Sequence, residues 1–109
     1  MIPDISKARD GRLQMRQKCE AIAAKYFGQV AQLENTVHRE RRSLTGRAYI
    51  MAPKLNGGLR VIEAPRPITR RSVYVFLHEC AHHLLGHLED RKPKHVHESE
   101  AEQWAHQAM

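Results

Sequence analysis

Downstream of Pro65 and Pro67, one stretch of this chain has a single plausible conformation, and it sets what the rest must build around. Thr69 supplies an N-cap, and from there to about Leu88 the apolar residues recur at helical spacing. At 100° per residue, Val73, Leu77, Cys80, Ala81, Leu84 and Leu88 fall within roughly 100° of one another, a stripe that has to face a core. His78 and His82 lie together beside that stripe, only about 40° apart on the wheel. The chain has 109 residues, the size of one domain with one small core, and a bound metal would add a cross-link to it.

The flanking segments predict an α+β fold. Residues from about Ser6 to Phe27 place Leu13, Cys19, Ile22, Ala23, Tyr26 and Phe27 at mostly helical spacing, with Gly28 as a stop. A second short helix is expected from about Val30 to Arg39, on a thin face of Val30, Leu33 and Val37, until Gly46 breaks the pattern. Arg47 to Ala52 and Leu59 to Ala64 read as two strands. The Asn56-Gly57-Gly58 between them supplies the positive-φ positions of a hairpin turn. Pro65 and Pro67 end the second strand. Helices should therefore flank a short antiparallel sheet. The polar run Glu89 to Lys94, broken by Pro93, leads to a last helix from about Val96.

Lys and Arg outnumber Asp and Glu by 18 to 12, for a formal charge of +6. That permits an acidic partner, protein or nucleic acid, but the basic residues are scattered through Arg39 to Arg42, Arg70–Arg71 and Arg91 to Lys94, with no single stripe. An aromatic share of 6% supplies few platforms for stacking bases, so direct nucleic-acid binding has weak support. Arg70 and Arg71 oppose the dipole of the helix they begin, a cost of about a few tenths of a kcal/mol, and read as solvated surface. Cys19 and Cys80 are too few for a disulfide framework and read as small buried thiols. With no signal-peptide layout at Met1 to Lys7 and no apolar run of membrane-spanning length, the expectation is a cytoplasmic protein without membrane contact.

The chemistry concentrates in His78-Glu79-Cys80-Ala81-His82. Two imidazoles four residues apart on a helix can reach one ion at about 2 Å, and Glu79 stands one step round, beside the ion, where a general base would act. With this composition, chance placement yields about 0.05 such motifs, so the helical context and the apolar stripe carry weight in the reading. A catalytic zinc usually takes three protein ligands. In Glu98-Ser-Glu-Ala-Glu-Gln-Trp-Ala105, residues Glu98, Ala101, Glu102 and Ala105 share a helix face, which favours Glu98 as third ligand over Glu100 and places Glu102 to support a ligand from behind. His97 is the rival third ligand.

His83 and His87 point away from the His78–His82 direction and read as surface residues. Trp104 reads as a core anchor. His95, His97 and His106 are equal candidates for stabilising an oxyanion. A metzincin register would need Gly at 85 and His at 88, where this chain has Leu85 and Leu88.

The segment His78-Glu-Cys-Ala-His-His-Leu-Leu-Gly-His87, followed by Glu98 to Ala105, resembles the ImmA/IrrE family of metallopeptidases. That family pairs a helical H-E-x-x-H with a later E-x-E-A-(N/D)-x-F-A segment of the gluzincin kind. The resemblance covers residues 78 to 105. It implies a minimal zincin-like domain over residues 1–109, in which an active-site helix is followed by a C-terminal ligand helix. It further implies Zn2+ on His78, His82 and Glu98, with Glu79 as the base. Glu102 stands where Asn or Asp is usual, Trp104 replaces Phe, and Met109 comes before the segment that ends the helix in the family. The substrate it implies is an intracellular protein, a DNA-binding transcriptional repressor in particular, aligned along the strand Arg60 to Glu63 as an edge. Two other function classes stay open: a zinc-stabilised interaction module without catalysis, and a basic nucleic-acid-binding domain with incidental histidines.

Overall fold

The computed structural model describes residues 5–51 and 58–109, with side chains from residue 11 onward. The fold is α+β, with three helices and a three-stranded mixed sheet in the order α1 (Ile5–Ala31), β1 (Thr36–Arg41), β2 (Arg47–Met51), β3 (Leu59–Pro65), α2 (Arg70–Leu84) and α3 (Lys94–Ala108). Among the described residues no helix is long and apolar enough to cross a membrane.

The sheet order is β1-β3-β2. The expected hairpin is present as the antiparallel β2–β3 pair, in register from Arg47 opposite Glu63 to Met51 opposite Leu59. Its turn lies outside the described residues apart from Gly58, whose φ of 81° matches the positive-φ requirement. The segment expected as a second helix is corrected: α1 runs through Gly28 to Ala31, and Thr36 to Arg41 is instead a strand, parallel to β3 from Thr36 opposite Arg60 to Arg41 opposite Pro65. The physical reason is that β3 is largely buried on both faces and offers two hydrogen-bonding edges. Pairing Thr36–Arg41 there satisfies more backbone than a lone helix with three apolar residues would.

The same arrangement corrects the expectation for Arg60 to Glu63. These residues lie in the central strand, not at an edge, and Arg60, Val61, Ile62 and Ala64 are all buried. The exposed edges belong to β1 and β2.

Helix α2 crosses the sheet and packs between α1 and α3. Its start is fixed by a capping box in which the Ser72 backbone N–H donates to Thr69 Oγ1 and the Thr69 N–H donates to Ser72 Oγ. Val73, Leu77, Cys80 and Ala81 bury fully, and Val73, Leu77 and Cys80 join Phe76, Ile62, Ala64, Cys19, Ala23 and Val30 in the core. Trp104 packs against this core and meets Tyr26 edge-on at 4.9 Å. Two parts of the helical reading do not hold. Leu13 is 54% exposed on the outer half of α1, and Leu88 is 37% exposed because α2 ends at Leu84.

That ending is a Schellman motif: Leu85 is the C-cap, Gly86 takes φ of 72°, the Gly86 N–H donates to His83 O and the His87 N–H donates to His82 O. The chain therefore doubles back one turn early, and His87 returns over α2.

Candidate metal centre

His78 and His82 stand one turn apart on α2, with ring centroids 5.0 Å apart and planes at 74°. Their ligand atoms and a carboxylate oxygen of Glu79 all lie within 4.8 Å of one another, a group that could hold a metal ion. The third approach comes from α3. Ala101 and Ala105 are fully buried, and such small side chains let α3 lie close on α2, which brings the preceding turn over the histidines. There Glu98 Oε2 is 2.8 Å from His78 Nε2, and Glu98 Oε1 is 3.3 Å from His82 Nε2. Tetrahedral ligands about 2.1 Å from a zinc ion stand about 3.4 Å apart, and the two Glu98 contacts are of that order, so Glu98 lies at ligand spacing from both rings.

The other residues singled out from the sequence divide clearly. Glu79 is buried, 7% exposed, while Glu98 is exposed. Glu102 is exposed and makes no hydrogen bond to either imidazole among the described residues; its charge instead raises the Tyr74 hydroxyl pKa, after burial. His97 is held by Asp90 through Nε2, and Glu100 faces Lys92 at 3.5 Å, so neither joins the His78–His82 pair. His95 is exposed, and the exposed His106 sits 4.9 Å from the Tyr74 ring.

Two histidines expected at the surface are buried, His83 at 1% and His87 at 5% exposure. His83 Nε2 donates to Val61 O at 2.9 Å, which leaves Nδ1 to accept from Arg60 Nη1 at 3.3 Å. Arg60 also binds Glu34 and Glu89, so one buried cation ties α2 and β3 to the two turns beside them. His87 Nδ1 lies 3.0 Å from His82 Nδ1. The sequence signal for His87 was Gly86: a Schellman ending brings the residue after its glycine onto the residue five earlier, here His82.

Electrostatics separate the two acids. Burial, and after it the Glu98 charge, push Glu79 up to about 7. Glu98 moves the other way. Partial burial works against its ionisation, but the His78 hydrogen bond and the charges of His82 and His78 hold its carboxyl below the ordinary range. Burial lowers the His82 pKa and keeps that ring neutral, the form that binds a metal.

The loop between β1 and β2 closes over Glu79 at Gly46, and a cleft of about 360 Å³ opens beside it. Gly46, Arg47 and Ala48 form one wall and Glu79, His82 and Glu98 the floor. β2, not β3, is thus the strand edge beside the centre.

Comparison with known proteins returned no relative: no family model, no curated protein and no solved structure matches the chain.

Proposed function

We propose that this chain is a zinc-dependent metallopeptidase of the cytoplasm, a minimal zincin-like domain allied to the ImmA/IrrE family, that hydrolyses a peptide bond in an intracellular protein. The observation that carries the reading is Glu98, whose two carboxylate oxygens reach both imidazoles of His78-Glu-Cys-Ala-His82 from a separate helix. Two imidazoles and a carboxylate are a zinc donor set, and His78, His82 and Glu98 would hold the ion. Zinc bound there would supply Lewis acidity to the scissile carbonyl and acidify the attacking water.

The remaining steps belong to the chain's own side chains. Glu79, with a pKa near 7, takes the proton of the attacking water on its carboxylate and returns it to the departing amine. The edge of β2 from Arg47 lies along the cleft and offers free backbone groups to an extended peptide, in place of the internal β3. A DNA-binding repressor is the proposed substrate class, on the strength of the family resemblance across residues 78 to 105.

The test is Glu79→Gln: zinc content should equal that of wild type, while cleavage of a candidate repressor disappears. Turnover in that variant sinks the mechanism.

A second reading rests on the depth of Glu79, which is 7% exposed and packed against Gly46. A carboxyl with so little exposure suits a zinc-stabilised interaction module without catalysis. That module would unfold on chelation and cleave no candidate. A nucleic-acid-binding domain would instead show affinity that falls steeply with salt and survives His78→Ala.

A further inference from the structure

We propose that His87 and Glu100 form a chain behind His82 that fixes its tautomer, with the proton on Nδ1 and the Nε2 lone pair aimed at the centre. The consequence for zinc rests on the metal reading given above; the tautomer itself does not.

The geometry starts from the end of α2. Gly86 in the left-handed region turns the backbone so that His87 falls over His82, and the two Nδ1 atoms meet at 3.0 Å. Two neutral imidazoles can share that contact only if one nitrogen carries a proton and the other a lone pair. Which one donates is decided at the far side of His87. Its Nε2 and Glu100 Oε1 are both buried without a hydrogen bond and face each other at 3.7 Å, with the Lys92 ammonium 3.5 Å from the same oxygen keeping Glu100 a carboxylate acceptor.

If Nε2 of His87 carried the lone pair, two acceptors would confront each other out of water. With a proton on Nε2, the ring instead directs a donor at a carboxylate, through a small closure or one bridging water. His87 Nδ1 is then the acceptor, and His82 must donate from its own Nδ1. Nε2 of His82 then keeps its lone pair on the side of His78. Glu98 Oε1 stands 3.3 Å from it, but Glu98 is exposed and hydrated, so two acceptors there do not meet out of water as they would at His87.

The ring of His87 has little freedom to do otherwise. His97 stacks on it at 4.3 Å with planes 13° apart, and Asp90 holds His97 from behind. His87 lines the same cleft but acts through His82 in this chain, which makes it a positioning residue.

The experiment uses the full chain at about pH 8, where imidazoles are neutral. Nitrogen-15 NMR of the chelator-treated wild type should show His82 protonated on Nδ1 and His87 on Nε2. The reverse assignment overturns the proposal without needing any variant to fold. Zinc affinity is then measured by competition with a chromogenic chelator. His87→Phe keeps the ring stack but removes the acceptor and should weaken zinc by about 10–100-fold. His87→Asn, whose side-chain oxygen can take the place of Nδ1, should restore most of it. Equal affinity in wild type and a folded His87→Phe variant would refute the positioning role. If wild type shows the expected tautomers yet binds no zinc, the metal reading fails while the His87–His82 chain stands.

Discussion

Gly46 lies so close against Glu79 that a β-carbon at position 46 would stand 2.7 Å from the Glu79 Cγ and 2.9 Å from its Oε1. No side chain fits between that loop and the acid, so the backbone before β2 serves as the lid of the Glu79 pocket.

Gly46→Ala should therefore displace either the loop or the carboxylate. We expect a stability loss of about 1–3 kcal/mol in urea unfolding, and peptidase turnover reduced well beyond any change in zinc affinity. Normal turnover and stability in this variant would show that Glu79 does not need its present position.

The ligand set has its own test. His82→Ala and Glu98→Ala should each weaken zinc by more than the about 100-fold upper range for groups that merely support a ligand. Glu102→Ala should leave zinc binding as it was, because Glu102 is exposed and bonds to neither histidine among the described residues. Metal content of the purified variants, read by mass spectrometry, decides the matter, and full zinc loading of Glu98→Ala would remove Glu98 from the centre.

Glu79 should leave a signature in stability against pH. Its carboxyl, ordinarily at 4.5, is raised to about 7 by burial and then by Glu98, so the folded chain binds this proton more tightly than the unfolded chain does. That contribution is fully present below pH 4.5 and is lost as pH rises through about 7. His82 has the opposite sign: its lowered pKa contributes above 6.5 and the contribution is lost as pH falls. In chelator-treated protein, the stability of wild type relative to Glu79→Gln should therefore decline by on the order of 2 kcal/mol from about pH 5 to about pH 8. Parallel curves for the two proteins would argue that Glu79 titrates normally.

His83 should behave as a structural group. Its replacement by Ala strands Arg60 Nη1 and the Val61 carbonyl and should cost about 1–3 kcal/mol, with the zinc affinity of the folded fraction unaltered. Arg60→Met should cost a similar amount, about 1–3 kcal/mol, because it removes the donor to His83 and the cation beside Glu34, while Glu89, more than half exposed, stays hydrated. A large fall in zinc affinity on His83→Ala would make that residue part of the centre.

How much was legible beforehand depended on distance along the chain. The pairing of His78 with His82, the burial of Cys80 and the Thr69 cap all follow from the 3.6-residue period, which acts within one or two turns. The hairpin of β2 with β3 was equally local. Thr36 to Arg41 has side chains that do not by themselves specify a strand. That segment becomes one only when β3, more than twenty residues later, offers an edge. For an isolated helix running to Leu88, His83 and His87 would lie at the surface, but α2 ends at Leu84. In the fold, β3 covers His83, and the Gly86 turn carries His87 off the wheel altogether.

Local periodicity alone specifies two imidazoles on one helix face, an acid between them, and a later helix rich in carboxylates. It took the packing of the helices and the sheet to bring Glu98 to the imidazoles, to set Gly46 against Glu79 and to stand His87 behind His82. The physical reason is that periodicity fixes directions about one helix axis, whereas the distance between two axes is set by close packing, here the fit of Ala101 and Ala105 on α2.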